Sequence, residues 1–186
     1  MANVTGKIRF KAKLLQPAAP KAADWAFLLL PMAASAKLPT RSMVTVDGAI
    51  DGHAFQATLE PDGGGGHWLK VGKALSDAAG VAAGDTVALE MVPVEVEPEP
   101  SVPADLRKAL MAHSEARATW EDITPVARRD WIHWITSGKK EETRGHRIIT
   151  ACDMLACGKR RACCFDRSGI YSKAFSAPKA AEPETR

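Results

Sequence analysis

No stretch of this 186-residue chain is apolar for long. The most apolar segment, Trp25 to Ala36, is interrupted by Pro31 and Ser35, and it falls well short of the roughly 20 residues that a bilayer-spanning helix needs. The start, Met1-Ala-Asn-Val-Thr-Gly-Lys, has no cationic run leading into an apolar one, so no secretory leader is expected. All four cysteines lie between Cys152 and Cys164, which does not make the framework of a small secreted protein. Strong charge is missing too: the formal net charge is +3, too little to demand nucleic acid or an anionic membrane. Catalytic signatures are equally scarce. There is no Gly-x-Ser-x-Gly elbow, and no pair among His53, His67, His113, His133 and His146 has the i, i+4 spacing of a metalloprotease helix. The expectation is a soluble cytoplasmic chain that leans away from an enzyme, without settling the point, and that needs no cofactor and no metal.

What is present is an ordinary globular composition, 46% hydrophobic and 25% charged, split between two kinds of pattern. In the first half, Ile8, Phe10, Ala12 and Leu14 alternate with Lys7, Arg9, Lys11 and Lys13, the period-two signature of a half-buried strand. Trp25–Leu30, Met43–Ala49, Phe55–Leu59, His67–Val71 and Thr86–Val92 read as further strands. Asp51-Gly52 supplies a tight hairpin turn between the third and fourth of the six. Lys73–Ala79 reads as a short helix closed by Gly80. Many short strands with turns between them favour a closed barrel, because closure hides edges.

The stretch from Val92 to Ser101 alternates Pro, Val and Glu, a stiff extended linker. Beyond it the pattern is helical. Ser101 is the expected cap of a helix running through Pro103 to about His113, and Glu115–Glu121 forms another. Thr124-Pro125 opens a third that Gly138 ends, with Trp131 and Trp134 on its apolar side, and Glu141–Ala156 forms a fourth. The basic excess sits in this half, with 16 Lys/Arg against 12 Asp/Glu in residues 98–186 and 9 against 10 before them. The fold class is therefore α+β: a small β-barrel over residues 1–96, a Pro/Glu linker over 97–101, a small helical domain over 102–167 and a disordered tail over 168–186.

Two sets of residues carry a family resemblance. Arg41-Ser-Met-Val-Thr-Val-Asp-Gly, Phe55-Gln-Ala-Thr-Leu-Glu-Pro-Asp62, His67-Trp-Leu-Lys-Val71 and Ala83-Gly-Asp-Thr-Val87 resemble a bacterial domain of unknown function known only by a number. Val102-Pro-Ala-Asp-Leu106, Arg128-Arg-Asp-Trp-Ile132, Glu142-Thr-Arg144 and Met154-Leu155 are similar to the YdeI/OmpD-associated, or bacteriocin-protection, helical region, which commonly follows the first domain. Together the likeness spans roughly residues 4–165. It implies a double-split barrel of AbrB/MazE-like shape, a role in tolerance of antimicrobial peptides or envelope stress, and neither an enzyme activity nor an active site. One departure is Gly145-His146, where the family favours residues such as Ala-Arg; an interior glycine costs about 1 kcal/mol relative to alanine, so a kinked or looser last helix is expected.

Four features invite chemical readings. Arg128, Arg129, Lys139, Lys140, Arg144 and Arg147 form a candidate basic surface for an acidic protein or an anionic surface, although Asp130, Glu141 and Glu142 are interleaved. Cys163 and Cys164, close to Lys159-Arg-Arg161, are candidate reactive thiols, while Cys152 sits on an apolar stripe and the spacings suit zinc poorly. Gly72 and Lys73, at the start of a helix, are a candidate anion site, but the glycine run before them lacks the Gly-Lys-Ser/Thr closure of a phosphate loop. Arg41, Asp62 and His67 would matter if the fold brought them to one cleft. The leading expectation is a non-enzymatic binding or stress-tolerance protein whose helical domain makes the contact. The alternatives are a nucleic-acid-binding regulator, on fold analogy, and a small-molecule enzyme or thiol sensor. The oligomeric state stays open.

Overall fold

A computed structural model describes residues 6–162 and 175–182. Among the described residues two compact units form, residues 6–95 with 175–182, and residues 96–162. The first is a nearly closed barrel of six antiparallel strands: β1 (Ile8–Lys13), β2 (Ala26–Leu29), β3 (Val44–Ile50), β4 (His53–Pro61), β5 (His67–Val71) and β6 (Thr86–Pro93). Their order is β1-β6-β3-β4-β5-β2. The last joint is made just past β1, where Leu15 and Phe27 exchange backbone hydrogen bonds of 2.7 and 3.0 Å.

Alternation decides which side chains fill the barrel. Ile8, Leu14, Val46, Ile50, Leu59, Leu69, Val87 and Met91 are buried, while Arg9, Lys11 and Lys13 on the opposite parity of β1 face water. The turn between β3 and β4 has Asp51 at φ 46° and Gly52 at φ 86°, the two left-handed positions of a type I′ hairpin. Asp51 is also tied to β6, because its carboxylate accepts from the Ala88 amide at 2.9 Å. Central strand β3 carries Gly48 where a Cβ would lie 2.6 Å from the Glu90 carbonyl oxygen, so the backbones approach too closely there for a side chain.

Two helices decorate the barrel. α2 (Lys73–Ala79) ends at Gly80 as expected, with φ 66°. α1 (Met32–Ser35) is a single turn after Pro31, too short to leave a periodic signal in the sequence. The described part of the tail, residues 175–182, bonds back to the barrel. Phe175 is buried, Ala177 donates to the Asp62 carbonyl, and the Ala18 and Ala181 amides bond to the Lys179 and Gln16 carbonyls. Phe175 supplies the apolar anchor that an Ala/Pro/Lys/Glu composition did not suggest.

The second unit packs α3 (Ala104–Ala112), α4 (Ser114–Asp122), α5 (Pro125–Thr136) and α6 (Glu141–Ala156) around Leu106, Leu110, Trp120, Trp131, Ile135, Cys152 and Leu155. Trp131 is fully buried and meets Trp134 edge-on, with centroids 6.0 Å apart. Thr124 caps α5 through the Ala127 amide at 3.3 Å, with Pro125 in the first turn. Ser101 does not cap α3. A residue before proline is driven out of the helical region, and Pro103, at ψ 145°, takes the capping position instead. None of the described helices is long and apolar enough to cross a membrane.

α6 runs unbroken from Glu141 to Ala156, straight through Gly145, so the glycine does not end the helix. Gly145 is exposed and open space surrounds the position of its missing Cβ. The Gly145→Ala change should therefore stabilise the protein by about 0.5–1 kcal/mol, measured as a higher urea midpoint by far-ultraviolet circular dichroism. An unchanged or lower midpoint would mean that the glycine serves something other than helix geometry.

Candidate functional site

The basic residues of the second unit do not form one free strip. Arg128 donates from Nε to the Trp120 carbonyl at 2.9 Å, from Nη2 to the Glu121 carbonyl at 2.7 Å and from Nη1 to Glu99 at 2.7 Å. Arg129 pairs with Glu97 at 2.7 Å and lies beside buried Asp130. Arg144 makes a two-pronged bond to Asp105 at 2.6 and 3.0 Å, which holds that carboxyl below the usual carboxylate range. Arg147 stacks over Trp134 and bonds to the Trp134 carbonyl and the Ser137 hydroxyl. Lys139 and Lys140 are exposed at the joint between α5 and α6. Four of the six are thus internal ties, and the acids of the Pro/Glu segment, expected to float in a linker, are what two of them hold.

A different set of residues comes together at the corner of α3 and α4. His113, with an extended backbone, is the C-cap of one helix and the N-cap of the next. Arg107, Leu110 and Met111 stand at i, i+3, i+4 on α3, and Arg117, Trp120 and Glu121 repeat the spacing on α4, so each helix turns an arginine and an apolar residue to one side. These six, with Val102 and Arg128, line a cavity of about 510 Å³. Its floor is buried Leu110 and Trp120, and Met111 stands 69% exposed at its edge. Arg107 donates to the Val102 carbonyl at 2.9 Å. Arg117 lies 3.7 Å from Glu121 with about half of its side chain exposed, a loose pairing that a better acceptor can displace. Sequence reading passed over Arg107, Met111 and Arg117. The repeated Arg-x-x-apolar spacing on two helices joined by one residue was the available signal.

The other candidates fare differently. Cys163 and Cys164 lie outside the described residues. Cys152 is buried, and burial with the nearby Asp153 charge pushes its thiol up, away from reactivity; Cys157 is exposed. No group of His, Cys, Asp and Glu among the described residues could hold a metal ion. Gly72 opens a helix of only seven residues, and Lys73 is tied to Asp77 at 2.8 Å. His67 is fully buried in the barrel; its Nε2 donates to the Ser42 carbonyl at 2.9 Å, and its backbone amide donates to the Ser35 hydroxyl at 3.1 Å. Asp62 accepts from the amides of Gly64 and Gly66 at 2.7 and 2.9 Å, shaping the glycine loop. Arg41 lines a cavity whose lining includes neither His67 nor Asp62.

Comparison with known families matches the two units in order. Residues 10–91 match the family model described as Domain of unknown function (DUF1905), which covers the barrel from β1 to β6. Residues 99–158 match the one described as Bacteriocin-protection, YdeI or OmpD-Associated, which covers α3 to α6. Both resemblances read from the sequence are thereby borne out. No curated protein matches the chain.

Two outcomes follow for stability. Replacing Arg128 with Ala orphans two carbonyls and a carboxylate, and urea titration should show a loss of about 1–3 kcal/mol. Arg128→Lys should recover little of it, since one ammonium nitrogen cannot reach the three separated acceptors that Nε, Nη1 and Nη2 meet; full recovery would show that charge alone matters. Burial, helped by the Arg129 charge, pushes His133 down from 6.5 to about 4, and burial also lowers His67. A depressed histidine leaves the unfolded chain the better proton acceptor below its ordinary pKa. Stability should therefore fall as pH drops from about 6.5 towards 4, by roughly 3 kcal/mol for His133. The urea midpoint of His133→Gln should depend less on pH over that window, and an unchanged slope would count against this origin.

Proposed function

We propose that this protein is a non-enzymatic binding module whose helical unit holds an acidic, apolar-faced segment of a partner protein in the α3–α4 cleft. The carrying observation is the chain's own chemistry at the cleft wall, where Arg128 grips the Glu99 carboxylate of an extended Pro/Glu segment. Arg107 and Arg117 offer the same group beside an apolar floor. The lining contains no serine, cysteine, lysine or histidine, and its one carboxylate, Glu121, faces Arg117, which suits holding rather than bond-breaking.

The bacteriocin-protection description of the matched family fits a protein that acts by holding another. An arginine rim repels cationic peptides, so protection would run through an acidic target and not through capture of a cationic antimicrobial. Exposed, unpaired Cys157 suits a reducing cytoplasm. The nucleic-acid reading has less support, since Lys7 and Arg9 on the outer face of β1 both pair with Glu90.

The test is fluorescence anisotropy of the full chain with a labelled peptide that alternates glutamate and leucine. Binding should weaken with salt and drop about tenfold or more in the Arg107→Glu/Arg117→Glu double variant. A lysine–leucine peptide that binds as well, or a double variant that binds as tightly as the parent, sinks the proposal. In cells challenged with a bacteriocin, the same double variant should protect less than the parent chain.

A further inference from the structure

The arginines of the described residues are nearly all occupied. Arg9 meets Glu90, Arg107 the Val102 carbonyl, Arg117 Glu121, Arg144 Asp105 and Arg160 Asp122, while Arg128, Arg129 and Arg147 are bound as described above. Among the described residues Arg41 and Arg161 alone among the arginines make no ion pair or hydrogen bond, and of these Arg41 lines a cavity. That cavity, about 320 Å³, is in the barrel unit, bounded by α1, by the loop from Ala36 to Arg41 and by Gly65 of the glycine loop.

Everything around Arg41 is held in place. The Thr40 hydroxyl accepts from the Ser42 amide at 3.1 Å, and the Ser42 carbonyl accepts from His67 Nε2 at 2.9 Å. Nε2 must carry the proton, because a carbonyl only accepts, and burial lowers the pKa of this imidazole, so it adds no charge at neutral pH. Asp62, which is not in the lining, turns its carboxylate into the glycine loop's own amides. The Gly66 position is so tight that a Cβ would sit 2.6 Å from Asp62 Oδ2 and 3.2 Å from Met32 Sδ. The lining thus holds one cation, no acid, the hydroxyls of Ser35 and Thr40, and the apolar Met32, Ala36, Leu38 and Pro39.

We infer that this pocket binds a small molecule with an oxyanion head, a carboxylate or a phosphate, on Arg41, and a short apolar body over Met32 and Leu38. The planar guanidinium fork of Arg41 matches either head with two parallel hydrogen bonds. The volume lies at the lower end of the roughly 300–1,000 Å³ typical of ligand pockets, which limits the body to a few carbons. This site is independent of the helical cleft.

Isothermal titration of the full chain with hexanoate, inorganic phosphate and hexylamine tests it. Saturable binding of hexanoate or phosphate at about 1 mM or tighter is expected, with none of hexylamine; phosphate binding without hexanoate binding assigns the head as phosphate. Arg41→Gln, at an exposed position, should weaken the bound anion about tenfold. Ala36→Leu, which leaves the charge and fills the cavity, should weaken it as well, whereas Lys37→Gln, beside the cavity but not in its lining, should not. Failure of both anions to bind, equal binding of hexylamine, or an equal effect of Lys37→Gln would overturn the inference.

Discussion

The helical unit hangs on one guanidinium. An α-helix leaves its last carbonyls without intrahelical partners, and at the end of α4 two of them, on Trp120 and Glu121, are taken by Arg128 from the next helix. The third prong reaches Glu99, so one side chain joins the segment entering the unit, the end of α4 and the start of α5. Its side chain is mostly buried, at 17% exposure, while Glu99 is 55% exposed, so the bond to the Trp120 carbonyl is the one best shielded from water. The same group forms a wall of the α3–α4 cleft. Fold and candidate site therefore share a residue, and the geometry of the cleft is as firm as the helix ends that Arg128 secures.

The barrel solves a different problem. Its strands leave one seam where only Leu15 and Phe27 join, and an unpaired strand is a liability. The chain comes back to that region, with Ala180 bridging Pro17 and Ala181 bonding to Gln16. The same returning segment meets the glycine loop through Ala177 and the Asp62 carbonyl. Asp62 thus binds inward to the loop with its side chain and outward to the tail with its backbone. A loop of four glycines would otherwise keep much conformational entropy, and this anchoring lets it serve as one wall of a cavity.

What could be read from the sequence was local. Asp51-Gly52, Thr124-Pro125 and Lys73–Ala79 before Gly80 each state their geometry within a few residues, and each appears as expected. The alternation in β1 and the helical stripe around Trp131 and Ile135 named the buried faces correctly. Pairings over distance were not legible. Glu97 meets Arg129 and Glu99 meets Arg128 across about thirty residues, and Asp105 meets Arg144 across thirty-nine. Composition shows that acids and bases are interleaved but not which acid neutralises which base. Six basic residues that look like a surface in one dimension become mostly internal ties in three. In the described part of the tail, a single buried aromatic, Phe175, supplies an anchor that the polar composition around it does not announce.

That conversion of charge into structure also tells which arginines carry information about ligands. An exposed, unpaired arginine in open water costs nothing to keep, so exposure alone points to no function. A guanidinium tied to a carbonyl or a buried carboxylate is accounted for by the fold. The informative case lies between the two, where a cation lines a concave surface, has hydroxyl and apolar neighbours, and is not needed by any internal acceptor. Arg41 meets that description fully, and Arg117 in part, because Glu121 reaches it only at 3.7 Å. Each belongs to a different unit with its own core. Both proposals nonetheless call for the same complementary chemistry, a negative head joined to an apolar body, at the scale of a small molecule in the barrel and of a peptide segment in the helices.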